Sequence, residues 1–291
     1  MPKVYVLSDP HLNLECSQKL IDSYKEKDLT NPAILKDYYK ATKDMSFYGR
    51  EWDEHITKLE RNWDSIVNDD DYVIIPGDIS TDAHDNTNNL EWLNRRKGIK
   101  IIGEGNHDQY WWPSKASKKK ELELKYKNIH FVDMKTTYED DHMIIAGTRF
   151  CDFTYNNWPV IQPDLSYCKI SIKFDEKCQK TMKDRVSMLC KNLRELKEKN
   201  PTKKVILMLH HPPYDIHANQ SEISQMIECS NIDYCLFGHI HTFGRMYFNK
   251  EITFEKLKEL YKGIDHKINS TQCICASSDL LQYKPLLLFD C

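Results

Sequence analysis

The stretch YVIIPGDIS, residues 72–80, runs from a β-branched apolar segment straight into Gly-Asp. Tyr72–Pro76 reads as a buried strand, which leaves Asp78 at its carboxyl end. The same arrangement recurs along the chain. VYVLS leads into DPH at Asp9–His11, and IKIIG leads into GNHD at Gly105–Asp108. VILML leads into HHPP at His210–Pro213, and YCLF into GHIH at Gly238–His241. Helical patterns lie between several of these strands. Trp52, Ile56, Leu59, Trp63 and Ile66 recur at helical spacing, as do Leu189, Leu193 and Leu196 before the stop signal Asn200-Pro201. Strands alternating with helices predict a layered α/β domain. Ligands of such sheets bind beyond the carboxyl ends of the strands, where these polar motifs would converge.

Asp, Asn and His gathered at strand ends suit metal-assisted hydrolysis. Cleavage of a phosphoester needs a strong nucleophile at neutral pH and relief of charge on the phosphoryl oxygens. Two cations about 3.5–4 Å apart, with a bridging hydroxide as nucleophile, supply both. Asp78 is the natural bridging ligand, because one carboxylate can give an oxygen to each ion. Asp9 and His11, two apart on a segment read as extended, would point the same way, and His239 and His241 would repeat that geometry. Gly238 permits a close backbone approach. Asn106 offers a neutral carbonyl oxygen. Mixed imidazole and carboxylate donors suit manganese, iron or zinc better than calcium.

The ordered set D-x-H, G-D, G-N-H-D, H-x-P and G-H-x-H resembles the calcineurin-like metallophosphoesterase superfamily, from Val4 to the final strand. FYGREWDEHITKLERNW, IIPGDIS, GNHDQYWW and AGTRF further resemble a bacterial-type branch of phosphohydrolases. The resemblance implies a four-layer sandwich, two mixed β-sheets flanked by helices. It implies that Asp9, His11, Asp78 and His241 hold one metal ion, and Asp78, Asn106, His210 and His239 a second. His107 would stabilise the transition state or protonate the leaving oxygen instead of binding metal. Asp108 would orient that imidazole. His211 would point to the opposite face from His210.

Further residues are candidates for contact with substrate, each beside a plainer reading. His55 and Arg50 would reach the phosphate from a lid, although a helix histidine is commonly solvated. Arg149, after MIIAGT, would contact a phosphate or else form a structural salt bridge. Trp111 and Trp112 would wall the site or belong to the core; stacking on a base is a further option.

At 291 residues with a net charge of −3, the chain accommodates one sizeable core and is no strongly electrostatic nucleic-acid binder. No Gly/Ser- or Pro-rich linker divides it. We expect a single domain, residues 1–291, with a helical insertion at about 12–70. The run Lys118–Lys120 reads as a solvated helix face. Cys273 and Cys275 read as buried small hydrophobes in a strand. The first strand starts near Met1, no apolar run is long enough to span a membrane, and no paired C-x-x-C framework is seen, so a cytoplasmic location is expected. The expected substrate is a phosphomonoester or phosphodiester, a small molecule or nucleotide, with nucleic acid not excluded. A catalytically weak metal-binding scaffold and a nuclease-like phosphodiesterase are the alternatives. Which phosphoester is cleaved, and the oligomeric state, are not legible.

Overall fold

The computed structural model describes residues 1–14, 49–81, 86–108, 111–149, 176–241 and 252–291, with short pieces between 23 and 45 and Phe243. All five apolar runs are strands. The first sheet has the order β11-β1-β2-β3-β4. Its strands are β1 (Lys3–Val6), β2 (Tyr72–Ile75), β3 (Ile99–Ile102), β4 (Ile129–Phe131) and β11 (Leu286–Asp290). Only β11 runs antiparallel to its neighbour. The second sheet has the order β5-β6-β7-β8-β10-β9. It comprises β5 (Tyr138–Glu139), β6 (Met143–Thr148), β7 (Lys204–Leu209), β8 (Tyr234–Phe237), β9 (Asp265–Ile268) and β10 (Thr271–Cys275). There β6, β7, β8 and β10 are parallel, and antiparallel β5 and β9 close the edges.

The strands are apolar on both faces because both faces are covered. Val4, Val6, Ile74, Ile101, Ile145, Ile206, Met208, Leu236 and Ile274 form the core between the sheets. Their alternating neighbours Val73, Ile75 and Ile102 pack outward with helix α1 (His55–Ile66) and helix α2 (Thr87–Arg95). On the other side Val205, Leu207, Leu209, Cys235 and Phe237 pack outward with α4 (Glu176–Lys199) and α5 (Glu222–Glu228). Helix α3 (Ala116–Lys125) lies between β3 and β4 in sequence, and α6 (Phe254–Leu260) precedes β9. The result is the expected four-layer α/β sandwich.

Helix α1 shows what holds these layers. Its N-cap residue, Glu54, has φ 53° and makes no side-chain cap. Its buried stripe does the work instead: Leu59 and Trp63 are fully buried, each stabilising by about 1.5–3 kcal/mol. The Trp63 indole also donates to the Lys97 carbonyl at 2.9 Å. The helix starts at His55, three residues after Trp52, because Arg50–Trp52 forms a separate 3-10 turn.

Lys119 corrects the reading of Lys118–Lys120 as a solvated face. It is buried, and pairs with Asp133 while donating to Thr136 at 3.0 Å. Cys273 and Cys275 are fully buried in the helix-side core. Among the described residues, no helix is long and apolar enough to cross a membrane.

Candidate metal centre

The loops that leave β1, β2, β3, β7 and β8 bring the polar motifs together at one end of both sheets. They do so with strained backbone. Asp9, His11, Asp78 and His239 have φ of 59°, 44°, 54° and 71°, a left-handed region that costs a non-glycine residue about 1–3 kcal/mol. The segments of Asp9–His11 and His239–His241 were expected to be extended. They are not, because β1 stops at Val6 and β8 at Phe237. Tight turns, not strand alternation, aim these side chains.

Hydrogen bonds and glycines hold the turns. The Ser278 hydroxyl donates to the carbonyls of Ser8 and Asp9 at 2.6 and 2.8 Å. The backbone N–H groups of Asp9 and His11 donate to the carbonyls of Gly77 and Asp78 at 3.0 and 3.1 Å. The His239 N–H donates to the Asp9 carboxylate at 3.0 Å. A Cβ at Gly105 would collide with Asp78, and one at Gly238 with Asp9 and Ser8. Any side chain there would force the proposed ligands apart.

The side chains form two overlapping groups. Ligand atoms of Asp9, His11, Asp78 and His241 all lie within 4.8 Å of one another. Within that group the Nε2 atoms of His11 and His241 are 2.9 Å apart, and His241 Nε2 is 3.3 Å from Asp9 Oδ1. In the other group, Asn106 Oδ1 is 2.8 Å from His210 Nε2 and 2.9 Å from His239 Nδ1. Asp78 Oδ2 joins them, 3.1 Å from His210 Nε2 and 3.7 Å from His11 Nε2. The seven expected ligands are thus one cluster, and the six described as Asp or His are buried.

Electrostatics separates the carboxylates from the imidazoles. Burial opposes charge on Asp9, yet His241 and His210 beside it hold its carboxyl below the usual range. Burial is likewise overcome at Asp78 by His210, His107 and His11. In return Asp78 raises His210, and Asp9 with Asp279 raises His241, both against the effect of burial. His11 goes the other way, pushed well down by burial and by His241.

This donor set fits a divalent transition ion. With bonds of about 2.1 Å, adjacent ligand atoms of a four- to six-coordinate ion lie about 3–3.4 Å apart. Several of the separations above fall near that spacing. Asp78 Oδ2 is buried and faces the Nε2 atoms of His210 and His11. A cation among them would be held by the carboxylate oxygen and by the lone pairs of the neutral imidazoles.

The remaining expected residues divide. His107 sits at the edge of the cluster, its Nε2 4.0 Å from Asp78 Oδ2 and its ring centroid 5.1 Å from that of His11. Asp108 takes a different role from the expected one. Its carboxylate accepts from the backbone N–H of Asp78, Ile79, Ser80 and Gly105, and from the Trp111 indole at 3.1 Å. It therefore ties the loop after β2 to the loop after β3. Burial and Asp78 push its pKa up to about 7 against those donors.

His55 does not reach toward a phosphate. It is buried, with its ring nitrogens 3.2 Å from the carbonyls of Trp52 and His11, so it supports a ligand loop from behind. Arg50 is exposed. Trp111 and Trp112 are half-buried, and Trp112 packs edge-on against Phe131. Arg149 pairs with Glu104 at 3.6 Å. His211 lies against the cluster and not on an opposite face: its ring centroid is 4.1 Å from that of His239. Strand alternation does not reach it, since β7 ends at Leu209.

Two contributors escaped the sequence reading. Trp52 packs edge-on to both His11 and His241, with centroids 5.9 and 5.4 Å away. Asp279 is buried with Oδ1 3.5 Å from His241 Nδ1. Trp52 was visible as the first apolar position of a helical stripe. Asp279 follows a strand end, in SSD after β10, but carries no paired histidine in sequence.

The family model described as calcineurin-like phosphoesterase matches residues 2–243. Among solved structures, the chain is similar to AQ665 of Aquifex aeolicus, a protein of unknown function, at 16% identity and a TM-score of 0.36, covering 99% of this chain and 96% of that one. It is also similar to the phosphopantetheinyl hydrolase PptH of Mycobacterium tuberculosis, at 11% identity and a TM-score of 0.47, covering 100% of this chain and 96% of that one. No curated protein sequence matches the chain.

Proposed function

The chain belongs to the calcineurin-like phosphoesterase family, and from that premise we propose that it hydrolyses a phosphoester at two metal positions sharing Asp78. Asp9, His11, Asp78 and His241 would hold one ion. Asp78, Asn106, His210 and His239 would hold the other. The observation that carries this reading is the position of Asp78 Oδ2, buried 3.1 Å from His210 Nε2 of one set and 3.7 Å from His11 Nε2 of the other. When bound, two divalent cations supply Lewis acidity toward phosphoryl oxygens and lower the pKa of water; manganese, iron and zinc suit the donors.

The chain's own residues do the rest. His107 stands beside the cluster without belonging to either four-residue set, so it can meet the phosphoryl group and give a proton to the leaving oxygen. Asp108, Ser278 and the close-packed glycines keep the ligand loops fixed, which lowers the reorganisation needed when substrate binds. The core shared by both sheets supports a single domain, with residues 12–70 inserted. Free cysteines, buried at Cys190, Cys235, Cys273 and Cys275, fit a reducing compartment such as the cytoplasm.

The test is turnover of a generic aryl phosphate ester and an aryl phosphodiester by protein loaded with manganese, iron or zinc. Metal-dependent release of the aryl alcohol is expected. Stoichiometric metal binding with no turnover on a broad panel of phosphoesters would instead leave a metal-binding scaffold.

A further inference from the structure

A cleft of about 500 Å³ has Glu104, Trp112, Met134, Lys135, Arg149 and Arg185 in its walls. Its position follows from the strand register. Glu104 lies two residues before Asn106. Thr148, the last residue of β6, pairs with Leu209, the residue before His210. Arg149 and His210 therefore leave neighbouring parallel strands, about 4.8 Å apart, at the same end. The cleft therefore lies at the same end of the sheets as Asn106 and His210.

Among the described residues its charge is one-sided. Asp133, also in the wall, is already paired with the buried Lys119. That leaves Lys135, Arg149 and Arg185 against the carboxylate of Glu104. Arg149 Nη1 lies 3.6 Å from Glu104 Oε1; one carboxylate oxygen at that distance cannot saturate the five N–H donors of a guanidinium. Glu104 holds Arg149 and, among the described residues, leaves most of its fork for a ligand. Trp112 and Met134 add an apolar stretch to the same wall.

We infer that this cleft receives the alcohol portion of the substrate, and that this portion carries a second phosphoryl group bound by Arg149 and Arg185. Three cations facing one carboxylate favour a dianion over a single carboxylate, and planar guanidinium groups match phosphate oxygens in pairs. The apolar wall accommodates the carbon skeleton between the two phosphoryl groups. The inference rests on the reading of the metal cluster as a phosphoester-hydrolysing site.

Calorimetric titration of manganese-loaded protein with α,ω-alkanediol bisphosphates of increasing length, against the matching alkyl monophosphates, tests it. At an optimal length the bisphosphate should bind roughly tenfold tighter than its monophosphate, the order expected of charge-assisted hydrogen bonds. Arg149→Ala and Arg185→Ala should each remove most of that difference, and Arg149→Lys should keep part of it. Equal affinities in the wild type, or a preference that survives both alanine variants, would overturn the inference. Failure of the phosphoesterase reading would look different: no phosphate released from either series, with the binding preference and its loss in the variants intact.

Discussion

The two flanks of the metal cluster are built differently. Behind Asp9, His11 and His241 the described residues interlock. Trp52 packs on both imidazoles, His55 reaches the His11 carbonyl, and the Tyr283 hydroxyl donates to the Glu51 carbonyl at 2.9 Å. On the side of Asn106 and His210, the cleft of Glu104, Arg149 and Arg185 lies at the same end of the sheets. On the first flank interlocked rings fix the side chains of His11 and His241; on the second, half-buried Arg149 and exposed Arg185 face the cleft. The segment between β1 and β2 was expected to be a lid. Its described part is a buttress.

Substitutions grade this contrast. Asp78 serves both flanks, so Asp78→Ala should lower kcat/KM by several orders of magnitude while the far-ultraviolet circular dichroism stays native. A loss smaller than tenfold would mean that the flanks work independently. His107→Ala comes next, with a loss of roughly 10²–10⁴-fold in kcat. Metal content should remain near wild type, and the loss should shrink with good leaving groups. Depleted metal in that variant would make His107 a ligand.

Trp52→Ala tests the interlocked flank by itself. Emptying a fully buried tryptophan should cost about 3–5 kcal/mol in denaturant unfolding. Loosening His11 and His241 should also weaken metal binding roughly tenfold, as for other groups that orient ligands. Wild-type metal affinity in this variant would reduce Trp52 to ordinary packing. His55→Ala should follow the same pattern more weakly, and Arg50→Ala should change neither property.

A smaller effect than at Trp52 is expected far from both flanks. Burial opposes charge on Asp233, but Lys197, the Val205 N–H and Lys204 hold its pKa below the usual carboxylate range. A lowered folded value means stability that is present above the unfolded pKa of about 3.9 and lost as pH falls through the folded one. Asp233→Asn should thus cost about 1–2 kcal/mol at pH 7, and the gap should narrow below about pH 4 with metal affinity unaltered. A gap independent of pH down to the acid transition would assign the effect to packing.

The layers and the cluster were legible because both rest on short-range patterns. Apolar runs such as YVII and VILML report burial on two faces, and the residues just after them report the strand ends. What supports the cluster was not legible, since it depends on contacts between distant segments. Asp108 was read beside its neighbour His107, yet its partners come from the loop after β2 and from Trp111. His55 was read as exposed helix chemistry, yet it is buried because the turn at Arg50–Trp52 tips it inward. The left-handed backbone at Asp9, His11 and His239 has no sequence mark, since these are not glycines.

Sharing of Asp78 is the central claim, and metal stoichiometry tests it most directly. Metal-free protein titrated calorimetrically with Mn²⁺ should bind two ions per chain, and Asp78→Ala should weaken both events together. One ion per chain in the wild type, or a variant that loses one event and keeps the other at wild-type affinity, would contradict a shared carboxylate.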